Sequence, residues 1–484
     1  MIRSWIKKHW LLLLAASAVL YLVIGATAPF FHYKTITPET KAAFSADSFY
    51  ADGPGVDRAM ILETNESAWE ERLRLMNLAR ERIILSTFDF RDGESPRDLL
   101  SVLLHKADDG VQVKILVDGF SGLVRMERSK LFYALSSHPN VEIKLYNPIN
   151  LMAPWTSQGR MHDKYVIVDD FGYILGGRNT FDYFIGSYPT NSRSHDREVL
   201  VYNTAHGTER SGDSSLSQVE QYFEGVWNLD VCRLFHDEEK LASQKGVVQM
   251  TDMLHKRYQG LEEACPELLG SGADALAFYQ DHTYEAGQIT LVSNPTGIYG
   301  KEPVVFYTLT ELMKQGSRDV AIHTPYAVFN QYMYDTMSQV NSQIPVHMMI
   351  NSVENGDNFF ASSDYLRHRQ NMADTGVSIL EYDGGTSYHG KSVVIDRELA
   401  IVGSYNFDLR STYMDTELML VIQSPQLAGE LDSLMASYEQ DCRLLLPDGS
   451  YQIPDHVTVA TVPLWKRAAW AVVGVVMQPF RFLI

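Results

Sequence analysis

The chain repeats itself, and a repeat of this kind admits few folds. Residues 82–90 (RIILSTFDF), 111–119 (VQVKILVDG) and 141–147 (VEIKLYN) are Val/Ile-rich, and helix-length stretches at 95–110 and 128–140 separate them. A second series at 319–329 (DVAIHTPYAVF), 344–352 (IPVHMMINS) and 377–383 (VSILEYD) is spaced by helical patterns at 332–340 and 364–376. Strand-like runs alternating with helix-length periodic segments predict βαβ units and largely parallel pairing. The parallel extends further along the chain: HDREVLVY at 195–202 matches MDTELMLVI at 414–422, and VCRLF matches DCRLLL. An internally duplicated α/β domain accounts for this with the fewest assumptions.

Both series end in one short signature. Residues 161–182 read MHDKYVIVDDFGYILGGRNTFD, and residues 388–411 read YHGKSVVIDRELAIVGSYNFDLRS. Each contains H-x-K-x-x-x-x-D and then, at the same interval, G-[GS]-x-N. A single such pattern arises by chance in a long chain; two copies closing equivalent βαβ series do not. The candidate catalytic group is therefore His162, Lys164 and Asp169 with His389, Lys391 and Asp396. Strand alternation puts each histidine on the face of its lysine. The aspartates, an odd number of positions from the lysines, fall on the opposite face and read as structural, holding the turn or pairing with a basic neighbour. Asn179, Ser404 and Asn406 follow in tight turns and are candidate phosphate ligands. Glu198 and Glu417 occupy matching positions on the next strands and are expected to orient the imidazoles.

These residue types suit exchange at a phosphodiester. Lysines neutralise the charge on the non-bridging oxygens. One imidazole attacks phosphorus and the other protonates the leaving oxygen, which requires opposite protonation states and a bell-shaped pH profile. No CxxC pair suggests a zinc site, and the three cysteines (Cys232, Cys265, Cys442) read as isolated packing residues. No cofactor is expected. The net charge of −19, from 60 acidic and 41 basic residues, disfavours nucleic acid as partner, since backbone binding depends on Lys and Arg.

Residues 10–31 carry no charged side chain, long enough for a bilayer-crossing helix, with Arg3, Lys7 and Lys8 before it and Trp5, Trp10 and Tyr33 as interfacial aromatics. Pro29, just after the Ala26-Thr27-Ala28 small-x-small site, argues for a retained anchor over a cleaved signal peptide. The positive-inside tendency then puts the remainder of the chain outside the cytoplasm. The expected organisation is an anchor (1–34), a first half (67–235), a helical insertion or connector (236–288), a second half (289–446) and an apolar C-terminal segment (460–484). That last segment either lies in the headgroup region or packs on the protein's own core.

The paired motifs resemble the phospholipase D superfamily, marked by two HxK(x)4D(x)6GxxN signatures. HPNVEIKLYNP, RMHDKYVIVDD, GGRNTFDYF and LVSNPTGIYGK look most like the bacterial cardiolipin synthases. The resemblance implies a duplicated phospholipase D-like fold of two mixed or parallel sheets flanked by helices. It also implies one metal-independent, pseudo-twofold active site with one histidine as nucleophile, and phospholipids, phosphatidylglycerol foremost, as substrates. The expected activity is membrane-anchored phosphatidyl transfer. The alternatives are a phospholipase D hydrolase releasing phosphatidic acid, a nuclease, and a non-enzymatic membrane scaffold.

Overall fold

In a computed structural model describing residues 2–484, with side chains from residue 8 onward, the Val/Ile-rich segments form two nine-stranded sheets. The first contains β1 (Asp57–Leu62), β2 (Arg82–Thr87), β3 (Gln112–Asp118), β4 (Val141–Tyr146), β5 (Tyr165–Val168) and β6 (Gly172–Gly176). After the short β7 (Ser194–His195), which lies outside it, the sheet is completed by β8 (Glu198–Asn203), β9 (Cys232–Leu234) and β10 (Tyr284–Glu285). The second contains β11 (Ile289–Ser293), β12 (Val320–His323), β13 (Val346–Asn351) and β14 (Ser378–Tyr382). The short β15 (Ser387–Tyr388) is again separate, and β16 (Ser392–Ile395), β17 (Leu399–Gly403), β18 (Leu418–Gln423), β19 (Cys442–Leu445) and β20 (Tyr451–Gln452) follow.

The strand orders, β10-β1-β8-β6-β5-β2-β3-β4-β9 and β11-β18-β17-β16-β12-β13-β14-β19-β20, share one central run. Within the two large sheets parallel pairing is confined to β2–β3–β4 and β12–β13–β14, so these sheets are mixed rather than largely parallel. The reason is local. Within each trio a helix joins neighbouring strands, whereas β5–β6 and β16–β17 are joined by tight turns that force antiparallel pairing. Asp169 and Asp396 open those turns with φ of 44° and 58°, a left-handed conformation that aspartate tolerates better than most residues.

Three large hydrophobic cores and a small fourth one around Tyr388 result. Two lie under the outer helices of the respective halves. The third joins the sheets face to face, with Ala59, Tyr173, Leu175 and Val199 on one side and Val394, Ala400, Val402 and Leu420 on the other. Helices Lys245–Ala264, Pro266–Leu269 and Gly272–His282, from the stretch between the halves, pack into the first outer core, away from the sheet–sheet junction. Arg257 ties them there by ion pairs to Glu94 and Asp98. The three cysteines are free.

Helix α1 (Ile2–Thr27) and the 3-10 turn after it (Ala28–Phe30) include a span, Lys8–Phe30, long and apolar enough to cross a membrane, with its side chains largely exposed. The flanking Arg3, Trp5 and Lys7 have side chains outside the described set. At the other end of the chain, helix Leu464–Val476 rests on the second half through buried Trp470 and Gly474, and Ser363 donates to the Trp470 carbonyl. Its outward residues Leu464, Trp465, Val472, Val475 and Val476 stay exposed. Phe482 then packs against Phe31, at the exit of α1.

Candidate active site

Two short parallel pairings sew the halves together where the motifs lie. Met161 bridges Thr416, and β15 pairs with β7. In each case the residue before a motif histidine is aligned with the residue before an acid of the opposite half. His162 N donates to Thr416 Oγ1 at 3.2 Å, and His162 Nδ1 lies 2.9 Å from Glu417 Oε1. His389 N donates to the His195 carbonyl, and His389 Nδ1 lies 2.6 Å from Asp196 Oδ2. Each histidine belongs to one half and its carboxylate to the other. Both rings are 12% exposed, and both carboxylates are fully buried.

The lysines fold back beside their own histidines. Lys164 donates to the His162 carbonyl and Lys391 to that of His389. Lys391 Nζ also sits 2.7 Å from His389 Nδ1 and 3.9 Å from Asp196 Oδ2, as a second cation on that carboxylate. A ring nitrogen either donates or accepts. With Asp196 ionised, His389 Nδ1–H donates to it and the ammonium lies alongside.

Several residues sit elsewhere than their spacing predicts. Glu198 does not reach an imidazole. It is locked in a two-pronged ion pair with Arg72 at 2.6 and 2.7 Å, with Arg178 3.6 Å away. Asp196, two residues earlier, takes the orienting position. The repeat reads D-x-E in both halves, so the sequence contained this candidate without indicating the choice. Ser404 is not placed as a phosphate ligand: fully buried, its hydroxyl donates to Glu417, which also accepts from Ser411 Oγ at 2.6 Å. Asp169 and Asp396 stand at the far ends of β5 and β16 from the histidines, and nothing puts them in the chemistry. Asp169 accepts from the backbone N–H groups of Arg80, Glu81 and Arg82, and Asp396 from those of Ser317, Arg318 and Asp319. Each carboxylate fastens the start of the neighbouring strand rather than its own turn.

Asn179 uses Oδ1 to accept from Asp89 N, and it lines a cleft of about 620 Å³ together with Phe88, Arg91, Phe184 and Asp357. Phe88 meets the His162 ring edge-on at 5.3 Å, and Phe184 lies 5.1 Å from His389, so two residues of the cleft wall touch the imidazoles. Asn406 is buried with its Oδ1 lacking a hydrogen-bond partner, unusual for a buried amide and suited to a ligand.

Burial and the proximity of the cations to one another dominate the electrostatics. Burial and Lys164 hold the His162 imidazole far below its ordinary value, and the charges of Lys391 and His389 reach it too, which brings the two motifs into one site. Burial and Lys391 depress His389 as well, opposed by Asp196. Burial pushes the Lys164 ammonium down to about 7, with Lys391 adding to the effect against Glu417, and it lowers Lys391 likewise. The acids diverge. Burial would raise Asp196, but Lys391 and His389 overrule it and hold the carboxyl well below the usual range. Burial carries Glu417 up to about 8 despite Lys164 and its two serine donors. Among the described residues no group of three His, Cys, Asp or Glu side chains is arranged to hold a metal ion.

Two facing sheets with a histidine–lysine pair from each meeting in one cleft define a phospholipase D-type enzyme. The family described as "Cardiolipin synthase, PLD-like domain" matches residues 73–227 and 309–438, and the chain belongs to it. It is similar to cardiolipin synthase C of Escherichia coli, at 24% identity over 80% of this chain and 86% of that one. It is also similar to the major cardiolipin synthase ClsA of Bacillus subtilis, at 23% identity over 84% of this chain and 72% of the other. The phosphatidylserine synthase of Haemophilus influenzae has the same fold, with a TM-score of 0.61 at 14% identity over 92% of this chain and 100% of that structure.

Proposed function

We propose that the protein is a membrane-anchored phosphatidyltransferase resembling cardiolipin synthase, with phosphatidylglycerol as donor and acceptor. The observation that carries this reading is the cross-bracing of two imidazoles, each fixed at Nδ1 by a buried carboxylate of the other half. His162, the more strongly depressed, is neutral near neutrality and serves as nucleophile. His389, the less depressed because its Nδ1 partner Asp196 opposes the shift, is assigned the transferable proton.

His162 attacks phosphorus, the P–O bond to the leaving glycerol breaks, and His389 gives that oxygen its proton. A phosphatidyl-histidine remains. The hydroxyl of a second lipid then attacks phosphorus, His389 removes its proton, and the P–N bond to His162 breaks. One phosphodiester replaces another, so no nucleotide is consumed. Lys164, Lys391, Asn179 and Asn406 are the candidates to hold the non-bridging oxygens. The apolar span of α1 and the names of the relatives support a lipid substrate and a membrane location; the catalytic part is placed outside the cytoplasm on the basic residues that precede the span.

Purified full-length protein incubated with labelled phosphatidylglycerol tests this. Cardiolipin with free glycerol is the expected result. Phosphatidic acid alone identifies a hydrolase, and cleavage of DNA but not lipid overturns the lipid reading. H162A and H389A should each abolish turnover; wild-type rates in either refute the shared site.

A further inference from the structure

The connection between β4 and His162 carries large apolar side chains where water would be expected. Met152 is 81% exposed and Leu151 65%, with Trp155 also exposed. Nearby, Gly119 fits so closely against Pro148 that an added Cβ would fall 2.6 Å from its backbone. The turn that Gly119 opens exposes Phe120, Leu123 and Val124 beside the same connection. Clustered exposed apolar side chains of this kind mark an interaction surface.

The fold says what covers it. Tyr21 Oη of α1 donates to the Met152 carbonyl at 2.8 Å, and Pro154 packs so tightly on α1 that a Cβ at Gly25 would lie 2.5 Å from it. Tyr21 precedes the end of α1 at Thr27 by ~9 Å of helix at about 1.5 Å per residue. Met152 therefore lies level with the apolar part of the helix, not beyond it. The Tyr21 bond also satisfies a carbonyl that would otherwise enter hydrocarbon unpaired.

We infer that the 151–155 connection is a membrane wedge: Leu151, Met152 and Trp155, flanked by Phe120, Leu123 and Val124, embed in the leaflet on the C-terminal side of α1. This rests on the reading of α1 as an anchor. The wedge is rigidly tied to the catalytic residues. Asn147 Nδ2 clamps its far end through the carbonyls of Thr156 and Gly159, and Arg160 donates to the Asn147 carbonyl just before His162. The depth of the wedge thus fixes the height of the imidazoles over the headgroups, so that a phosphodiester reaches them without its lipid leaving the bilayer.

Spin-label depth measurement on the full-length protein in phosphatidylglycerol/phosphatidylethanolamine vesicles tests this. In a C265S background, whose other cysteines are buried, a nitroxide is placed at Met152→Cys, at Val19→Cys on α1, or at Val248→Cys on the exposed face of helix Lys245–Ala264. The label at 152 should match the one at 19, open to oxygen and shielded from a water-soluble nickel chelate. A label at 152 as open to the chelate as the one at 248, with 19 shielded, overturns the wedge and leaves the anchor standing. Chelate access at 19 overturns the anchor, and the wedge with it. Independently, L151S/W155S should lower turnover on vesicles roughly tenfold while sparing monomeric short-chain phosphatidylglycerol; equal loss on both substrates overturns the inference.

Discussion

Asp196 and Glu198 lie two residues apart and both are fully buried, yet the geometry gives them different work, and that difference can be measured. Asp196→Asn keeps the side-chain shape and an oxygen facing His389 Nδ1, but removes the charge that sits 2.6 Å from the ring and 3.9 Å from Lys391. Breaking a buried charge pair by neutralising one partner costs about 3–5 kcal/mol. If that cost falls on the protonated His389 needed in the transition state, at about 1.36 kcal/mol per decade kcat drops by roughly 10²–10⁴. Glu198→Gln breaks the ion pair to Arg72 and incurs a similar cost, but in the folded state. The assay is turnover per folded protein on labelled phosphatidylglycerol, alongside thermal unfolding. D196N should lose kcat per folded molecule whatever its Tm, and E198Q should lower Tm with kcat within about threefold per folded molecule. D196N at wild-type turnover, or a well-folded E198Q as inactive as D196N, would refute the assignment of the orienting role.

Three further outcomes follow from neighbouring contacts. Ser404→Ala removes a donor to Glu417, so kcat should fall about 10–100-fold with KM unchanged; a rise in KM alone would return Ser404 to phosphate binding. Asp169→Asn weakens the carboxylate anchor for three backbone N–H groups and should lower stability by about 1.5–3 kcal/mol in a thermal melt without changing kcat. Lys164 is charged below about 7 and loses its proton as pH rises through that value. A bound anion favours the charged form, so titrating tungstate at a pH of about 7.5 should take up protons, seen calorimetrically as a binding enthalpy that varies with the buffer. Binding without proton uptake contradicts the electrostatics of the unliganded site.

The duplicated strands and both histidine–lysine pairs were legible because they rest on period-two alternation and on spacing, which survive without tertiary knowledge. Pairing direction was less so. The βαβ trios are visible in the sequence, but the antiparallel strands around them depend on turns whose chain direction only becomes clear when Asp169 and Asp396 adopt positive φ. The choice of acid was legible in one half only: Glu417 meets an imidazole as its position suggested, and Glu198 does not. D-x-E occurs in both halves, and which carboxylate meets an imidazole is decided by residues distant in sequence, such as Arg72. The 151–155 connection gave no periodic signal, and its meaning emerges only from its contact with Tyr21.

The asymmetry between the halves has a steric origin that can itself be tested. The first half brings Asp196 to a histidine and the second brings Glu417, although each half has both acids. At Gly177 an added Cβ would lie 2.3 Å from Asp196 Oδ1, so the bare backbone there makes room for that carboxylate. The equivalent position in the second half is Ser404, whose side chain occupies that room and whose hydroxyl holds Glu417 instead. Asp415, the counterpart of Asp196, turns away to Arg410 and the Arg160 backbone. The motif also carries Arg178 in the first half, near Glu198, where the second half has Tyr405, so Glu417 has no guanidinium to draw it off. Gly177→Ser should therefore push Asp196 off His389 and cost turnover nearly as much as D196N, about 10²-fold or more by the same charge argument, with the fold retained. A G177S enzyme within threefold of wild type would mean that the glycine does not set the choice of acid.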